Sequence, residues 1–294
     1  MVTRTDSDGS TSFFVGENVP DMQGVGRWVR NDLDLIIHKF GNGSIEILPI
    51  ADVHYGAIEH NEEGWNKLCK DVLAKENVYL ILAGDLISNG LKNSLTNVYE
   101  EVVRPRTQKA YMTDALLPLK DRILCMVSGN HELRSAKEAD LDPSYDIACK
   151  LDIEDLYRTN AAFMAVQLGQ DPKGENRARE TYKFMVVHGT GGGLYSGATL
   201  NRNERTALQI CEGIDCFIAG HTHKGMISRP SKLVFDINRK TVYQKDCLVL
   251  SCVSWMSYGG YAMRKMLLPA SHSLPQRLIL KDSSSHDKKI EVVW

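Results

Sequence analysis

No stretch of this 294-residue chain approaches the roughly 18 consecutive apolar residues that a membrane-spanning helix needs. The opening MVTRTDSDGSTSFF holds no apolar core of signal-peptide length, so neither a span nor a secretory leader is expected. An excess of either charge is lacking too, since 35 Lys and Arg face 37 Asp and Glu. A formal net charge of -2 gives no whole-protein attraction to nucleic acid or to a membrane. Recognition of a polyanion must therefore come from a local patch or from bound metal. The seven cysteines include no CxxC pair, and Cys125, Cys216, Cys247 and Cys252 sit inside apolar runs, where buried free thiols are common. Reduced cysteines and a cytoplasmic protein are the expectation. Internal repeats are absent, and the only low-complexity tract is SSSHDKK, read as a loop. With 43% hydrophobic and 24% charged residues, the chain is not disordered throughout and has enough apolar material for a substantial core.

What is present is an alternation of strands and helices. Residues 1 to about 44 read as a leader packing on the body, its GRWVRNDLDLIIHKF segment a short helix or an edge strand. Strands are expected at Ile45–Ile50, Tyr79–Ala83, Ile123–Ser128, Thr181–Val187 and Cys216–Ala219. Helices are expected at Glu62–Lys75, with Trp65, Leu68, Val72 and Leu73 on one face, and at Thr107–Lys120, Pro143–Leu156 and Thr199–Glu212. Gly169–Arg179 reads as an exposed loop. After about Gly225 the pattern turns to strands: Lys232–Ile237, Thr241–Gln244, Cys247–Val253, Arg277–Lys281 and Ile290–Val293, with a tight turn at Asn238-Arg239. One domain over 45–294 is expected, divided into a half over 45–225 and a β-rich half over 226–294.

Five short polar clusters each follow an apolar run: Asp52-Val-His54, Gly84-Asp85, Gly129-Asn130-His131-Glu132, His188-Gly189 and Gly220-His221-Thr-His223. A buried strand ending in carboxylate, amide or imidazole delivers metal ligands to one edge of a sheet. Each cluster has a bland reading as well. Asp-x-His arises by chance, Gly-Asp is ordinarily a turn, and Asn130 could cap a helix with Glu132 in its first turn. His188 alone could be a hydrogen-bonded core histidine. Strand alternation would put Asp52 and His54 on one side, and His221 with His223 likewise. Together the five supply Asp, His and Asn in the numbers a two-metal site needs.

In this order the clusters resemble the DxH, GD, GNH[DE], H(G) and GHxH pattern of the calcineurin-like metallophosphoesterases, over roughly residues 45 to 225. The resemblance implies an α/β fold, a four-layer α/β/β/α sandwich with the site at strand ends, residues 45–225 its metal-ligand half and the β-rich 226–294 its second sheet; a doubly wound single sheet is the alternative. It implies that Asp52, His54 and His223 hold a first metal ion. Asn130, His188 and His221 would hold a second, and Asp85 would bridge the two. It gives His131 the role of a non-ligand general acid, and Glu132 is placed by sequence to orient it, or else is a helix-start acid. Oxygen and imidazole donors without thiolate suit Mn²⁺ first, then Fe or Zn²⁺.

The resemblance implies a phosphate-ester substrate, with DNA or a nucleotide among the candidates. GDLISNG lacks the Asp-Arg pair of the GDxVDRG found in the superfamily's protein Ser/Thr phosphatases, which argues against that activity, although Glu132 keeps their GNHE. The break-repair nuclease branch reads GDLFD and carries a helical cap, for which the residues after His223 leave little room. The loop His188-Gly-Thr-Gly-Gly-Gly193 either offers backbone N–H groups to an anion or is a flexible surface loop. Arg202 and Arg205 could reach a phosphate. Arg104, Arg106 and Lys109, with Tyr99 and Tyr111, could track a nucleic-acid backbone or be simply solvated. The leading expectation is a phosphodiesterase of nucleotides or nucleic acid, an exonuclease or endonuclease included. A phosphomonoesterase or nucleotide pyrophosphohydrolase is the enzyme alternative, and a catalytically silent scaffold is the other class.

Overall fold

A computed structural model of the chain describes residues 2–5, 11–14, 32–41, 43–92, 94, 99, 101–169, 179–191, 193, 195–269, 275–282 and 289–294. The expected loops at 169–179 and 283–289 lie almost wholly outside them. Residues 1–31 form a unit of their own, in which β1 (Val2–Thr5) pairs antiparallel with β2 (Thr11–Phe14).

The unit over 32–294 begins with β3 (Ile36–Phe40), β4 (Ser44–Ile50), α1 (Glu62–Leu73), β5 (Val78–Ala83), α2 (Pro105–Leu116) and β6 (Ile123–Val127). It continues through α3 (Glu132–Ala139), α4 (Pro143–Lys150), β7 (Tyr157–Arg158), β8 (Ala161–Leu168), β9 (Glu180–Val187), α5 (Ser196–Gln209) and β10 (Cys216–Ala219). It ends with β11 (Met226–Ser228), β12 (Ser231–Asp236), β13 (Thr241–Asp246), β14 (Leu248–Ser251), α6 (Gly260–Arg264), β15 (Arg277–Lys281) and β16 (Glu291–Val293).

Two six-stranded sheets result, in the orders β16-β15-β4-β5-β6-β7 and β11-β14-β10-β9-β8-β3. The strands β4 to β7 run parallel, as do β9, β10 and β14. Side-chain alternation explains why their sequences are apolar on both faces. In β4, Ile45 and Ile47 enter a core shared with Met164, Phe184, Ile218 and Leu250 of the second sheet. Leu48 and Ile50 point the other way, against Trp65 and Leu68 of α1, Met112 and Leu116 of α2 and Ile147 of α4. A third cluster packs Met185, Phe217 and Val249 of the second sheet against Ala207 of α5. The layers therefore run helices, sheet, sheet, helix, not a single doubly wound sheet.

Helix α1 starts where Asn61 accepts the Gly64 N–H at 3.0 Å, with Glu62 and Glu63 in the first turn beside the positive end of the helix dipole. The β-rich tail does not build one sheet. Only β11 and β14 join the second sheet, while β15 adds antiparallel to β4, burying Leu278 and Leu280 between the sheets. The β12–β13 hairpin stands apart, its turn spanning 237–240 around Asn238-Arg239. Strand β8, AAFMAVQL, has no counterpart in the sequence reading. Its Ala, Met, Leu and Gln are helix formers, and full-length pairing with β9 overrides that preference.

Candidate metal centre

All five polar clusters lie where strands stop. The strand β4 ends at Ile50, so Asp52 and His54 do not share a face by strand alternation. Both adopt left-handed backbone, φ 55° and 48°, as do Asp85 at 52°, His221 at 71° and His223 at 57°. Side-chain-bearing residues avoid this region at a cost of about 1 kcal/mol or more each, so surrounding contacts must hold them there. Backbone bonds do so: Asp52 N–H donates to the Gly84 carbonyl at 3.1 Å, His54 N–H to Asp85 at 3.0 Å, and Trp255 N–H to Asp52 at 3.1 Å. Two glycines permit the close approach. A Cβ on Gly129 would lie 2.1 Å from Asp85 Oδ1, and one on Gly84 (φ 85°) would lie 2.6 Å from the Gly129 nitrogen.

Three groups of potential ligand atoms follow, each with members within 4.8 Å: Asp52, His54 and His223; His54, Asp85 and His131; Asp85, His188 and His221. His54 and Asp85 each belong to two groups, so the set is continuous. Oδ2 of Asp85 sits 3.1 Å from His188 Nε2, 3.7 Å from His54 Nε2 and 3.8 Å from His131 Nε2. His221 and His223 are divided between groups rather than sharing one. Asn130 does not cap α3; His131 occupies that position, and the Asn130 Oδ1 lies 2.7 Å from His221 Nδ1 and 3.0 Å from His188 Nε2.

Neighbouring carbonyls fix the imidazoles. His188 Nδ1 donates to Ala83 at 2.8 Å, which leaves Nε2 to face Asp85. His131 Nδ1 donates to the Ser88 carbonyl at 2.7 Å, which likewise turns Nε2 inward. Glu132 is not the partner of His131. Its buried carboxylate accepts the N–H groups of Asp85 and Gly129, both at 3.0 Å, and of Ile87 at 3.1 Å. It joins two cluster loops instead of orienting a ring.

The donor set fits divalent cations. His54 Nε2 and His223 Nε2 face each other at 3.1 Å, and His188 Nε2 and His221 Nδ1 at 3.3 Å, beside the buried carboxylates of Asp52 and Asp85. Converging lone pairs and buried anions need positive charge between them. Burial holds His54 well below the usual imidazole range and also lowers His131 and His221. Burial works against His188 too, yet the Asp85 carboxylate lifts it to about 10. Asp85, despite its own burial, is drawn well below the carboxylate range by His188 and His131. Imidazole nitrogens beside ionised carboxylates, with His188 and His223 held protonated by Asp85 and Asp52 where no cation takes the proton's place, form a hard-to-borderline N/O site of the kind divalent first-row metals occupy.

Sequence reasoning missed Asn89. It is buried, with φ 44°, and its Nδ2 donates to the His131 carbonyl at 2.7 Å and to Ser135 Oγ at 2.8 Å. Asn tolerates left-handed backbone, and that was the only signal available. Removing this brace in Asn89→Ala is expected to lower kcat about 10-fold while metal content, measured by elemental analysis, stays that of the wild type.

The cationic candidates divide. Arg202 Nη1 donates to the Thr190 carbonyl at 2.7 Å and packs where a Cβ on Gly191 would sit, and Lys224 Nζ donates to the Gly193 carbonyl at 2.7 Å. The glycine run thus meets two cations; its Gly192 lies outside the described residues. Arg205 bonds along its own helix, to Gln209. Lys109 pairs with Asp146, Tyr111 stacks on Tyr55 at 3.7 Å, and Arg104, Arg106 and Tyr99 are exposed.

Among solved structures the chain is similar to a predicted phosphoesterase of Streptococcus pneumoniae TIGR4, 13% identical, covering 81% of this chain and 84% of that one with a TM-score of 0.33. It is also similar to the calcineurin-like phosphoesterase YfkN of Bacillus subtilis, 14% identical, covering 82% and 85% with a TM-score of 0.34. A search of curated proteins gave no match. The family profile of the calcineurin-like phosphoesterases matches residues 45–225, more than half of the sequence, and the chain belongs to that family.

Proposed function

We propose that the chain is a metal-dependent phosphodiesterase that hydrolyses nucleotides or nucleic acid. The observation that carries this reading is the continuous donor set in which His54 and Asp85 are each shared between groups. In it Asp52, His54 and His223 would hold one divalent ion and Asn130, His188 and His221 the other, with Asp85 contributing to both. Such ions, Mn²⁺ first by donor chemistry, supply Lewis-acid charge that activates water and offsets charge on phosphoryl oxygens.

The chain's own groups do the rest. His131, held at Nδ1 by Ser88, presents Nε2 toward Asp85 and lies edge-on to His54 at 4.4 Å between ring centres. Burial keeps it neutral in the free protein, so Nε2 must first gain a proton. The negative charge of a phosphoryl group beside Nε2 favours that imidazolium, which then donates the proton to the leaving oxygen. Arg202 and Lys224 on the glycine run support a substrate with a further anionic group, which also favours the nucleotide pyrophosphohydrolase reading. The seven cysteines are all unpaired, which supports a reducing compartment, the cytoplasm. Among the described residues no helix is long and apolar enough to cross a membrane.

The test is hydrolysis of bis-(p-nitrophenyl) phosphate and of p-nitrophenyl phosphate by metal-stripped protein with Mn²⁺ restored, beside single- and double-stranded DNA. Mn²⁺-dependent diester cleavage exceeding monoester cleavage is expected. His131→Ala should keep its metal and lose about 10²-fold in kcat. Monoester preference would sink the diesterase reading, and inactivity on every substrate would favour a scaffold.

A further inference from the structure

The β12–β13 hairpin pairs with no other strand among the described residues. Its register sets two faces, because directly opposed residues point the same way. One face carries Lys232 opposite Lys245, Val234 opposite Tyr243, and Asp236 opposite Thr241. This face is tied to the body at its base: Lys232 Nζ donates to the Leu208 carbonyl near the end of α5, and Lys245 Nζ donates to Gly213 at 2.9 Å and pairs with Asp215 at 3.2 Å. The other face runs from Ser231 and Asp246 at the base, through Leu233, Phe235 and Val242, to Ile237 and Lys240 at the turn. It is left to solvent, with Leu233 74%, Phe235 80%, Val242 49% and Ile237 87% exposed.

A two-stranded hairpin is marginal in water, and four large apolar side chains gathered on its outer face add a further cost unless they are covered. We propose that a second copy of the chain covers them, hairpin face against hairpin face about a two-fold axis. The charges on the face are arranged for that self-pairing. Asp246 marks the base, and Lys240, with Arg239 next to it, marks the tip. A two-fold axis across the face reverses one hairpin on the other, so each acidic base meets a basic tip while the apolar middles meet. Hydrogen bonds from Ser231 and Gln244 help keep Asp246 ionised. Near the tip, Phe235, Ile237, Lys240 and Val242, together with Asp236 and Thr241 of the other face, line an open recess of about 340 Å³.

Sedimentation of the full chain from low to about 100 µM tests this. The wild type should form a dimer of the 32.9 kDa chain. Phe235→Ser should weaken self-association about 100-fold and the milder Val242→Thr about 10-fold, with activity per chain unchanged. Lys240→Glu should weaken it as well, and combining it with Asp246→Lys should restore it. A wild type that is monomeric at the highest concentration overturns the proposal, whether the face is bare or covered by residues 1–31. So does a dimer that neither Phe235→Ser nor Val242→Thr loosens while circular dichroism shows both variants folded.

Discussion

Asp85→Asn is expected to reduce turnover about 10⁴-fold or more and to strip metal from the whole centre rather than from half of it. The change is nearly isosteric, so the fold should persist, and the loss will come from chemistry. Oδ2 of Asp85 lies within 3.8 Å of nitrogens from His54, His131 and His188, and its Oδ1 accepts the His131 N–H at 2.8 Å. An amide can keep one oxygen for that N–H, but it then turns an NH₂ toward imidazole nitrogens that need an acceptor or a cation. It also removes the buried negative charge that both ligand groups share. Metal per chain and kcat measured on the same preparation check this. Wild-type metal content in the variant would mean that Asp52, His54, Asn130, His188, His221 and His223 suffice, and that Asp85 is not the shared ligand. Asn89→Ala serves as the contrast, since it is expected to touch rate and not metal.

The candidate site was legible because its residues sit at strand ends, where apolar runs stop abruptly at Asp, His and Asn. The reason they converge was not legible. Alternation along a strand would have placed Asp52 beside His54, but both residues lie past the strand in left-handed backbone, a conformation that no side-chain pattern encodes. The same limit hid Ser88, whose contribution to His131 is a backbone carbonyl. In the fold, β4 and β5 were plain as continuous apolar runs facing two cores, whereas β8 has a helix-like composition and is a strand only because β9 lies beside it. The tail showed its strands but not their destinations. Pairing of β15 with β4 joins residues more than 200 apart, and local sequence does not specify such a contact.

Glu132 should prove the largest single determinant of stability in the centre. Three backbone N–H groups, of Asp85, Ile87 and Gly129, end on its fully buried carboxylate. Glu132→Ala leaves all three without acceptors, at about 1–3 kcal/mol each, so a loss of roughly 3–9 kcal/mol is expected, read as a fall in Tm of about 6 °C or more. Turnover should fall with it, because these bonds hold the Asp85 loop against the Gly129–His131 loop. Glu132→Gln separates the charge from the bonds. Burial, and next the Asp85 carboxylate, push Glu132 up from 4.5 to about 7, with the Ile87 N–H opposing them. An acid whose folded pKa is raised contributes stability that is fully present below 4.5 and is lost as pH rises through about 7. The metal-free wild type should therefore weaken between pH 5 and pH 8, and Glu132→Gln, which cannot ionise, should lose that slope. Restoring Mn²⁺ should flatten the wild-type curve too, because nearby cations favour the carboxylate. Denaturant melts across that pH range decide it. A slope that survives in Glu132→Gln belongs to another group, and a Glu132→Ala protein as stable as wild type would mean the three N–H groups find other acceptors.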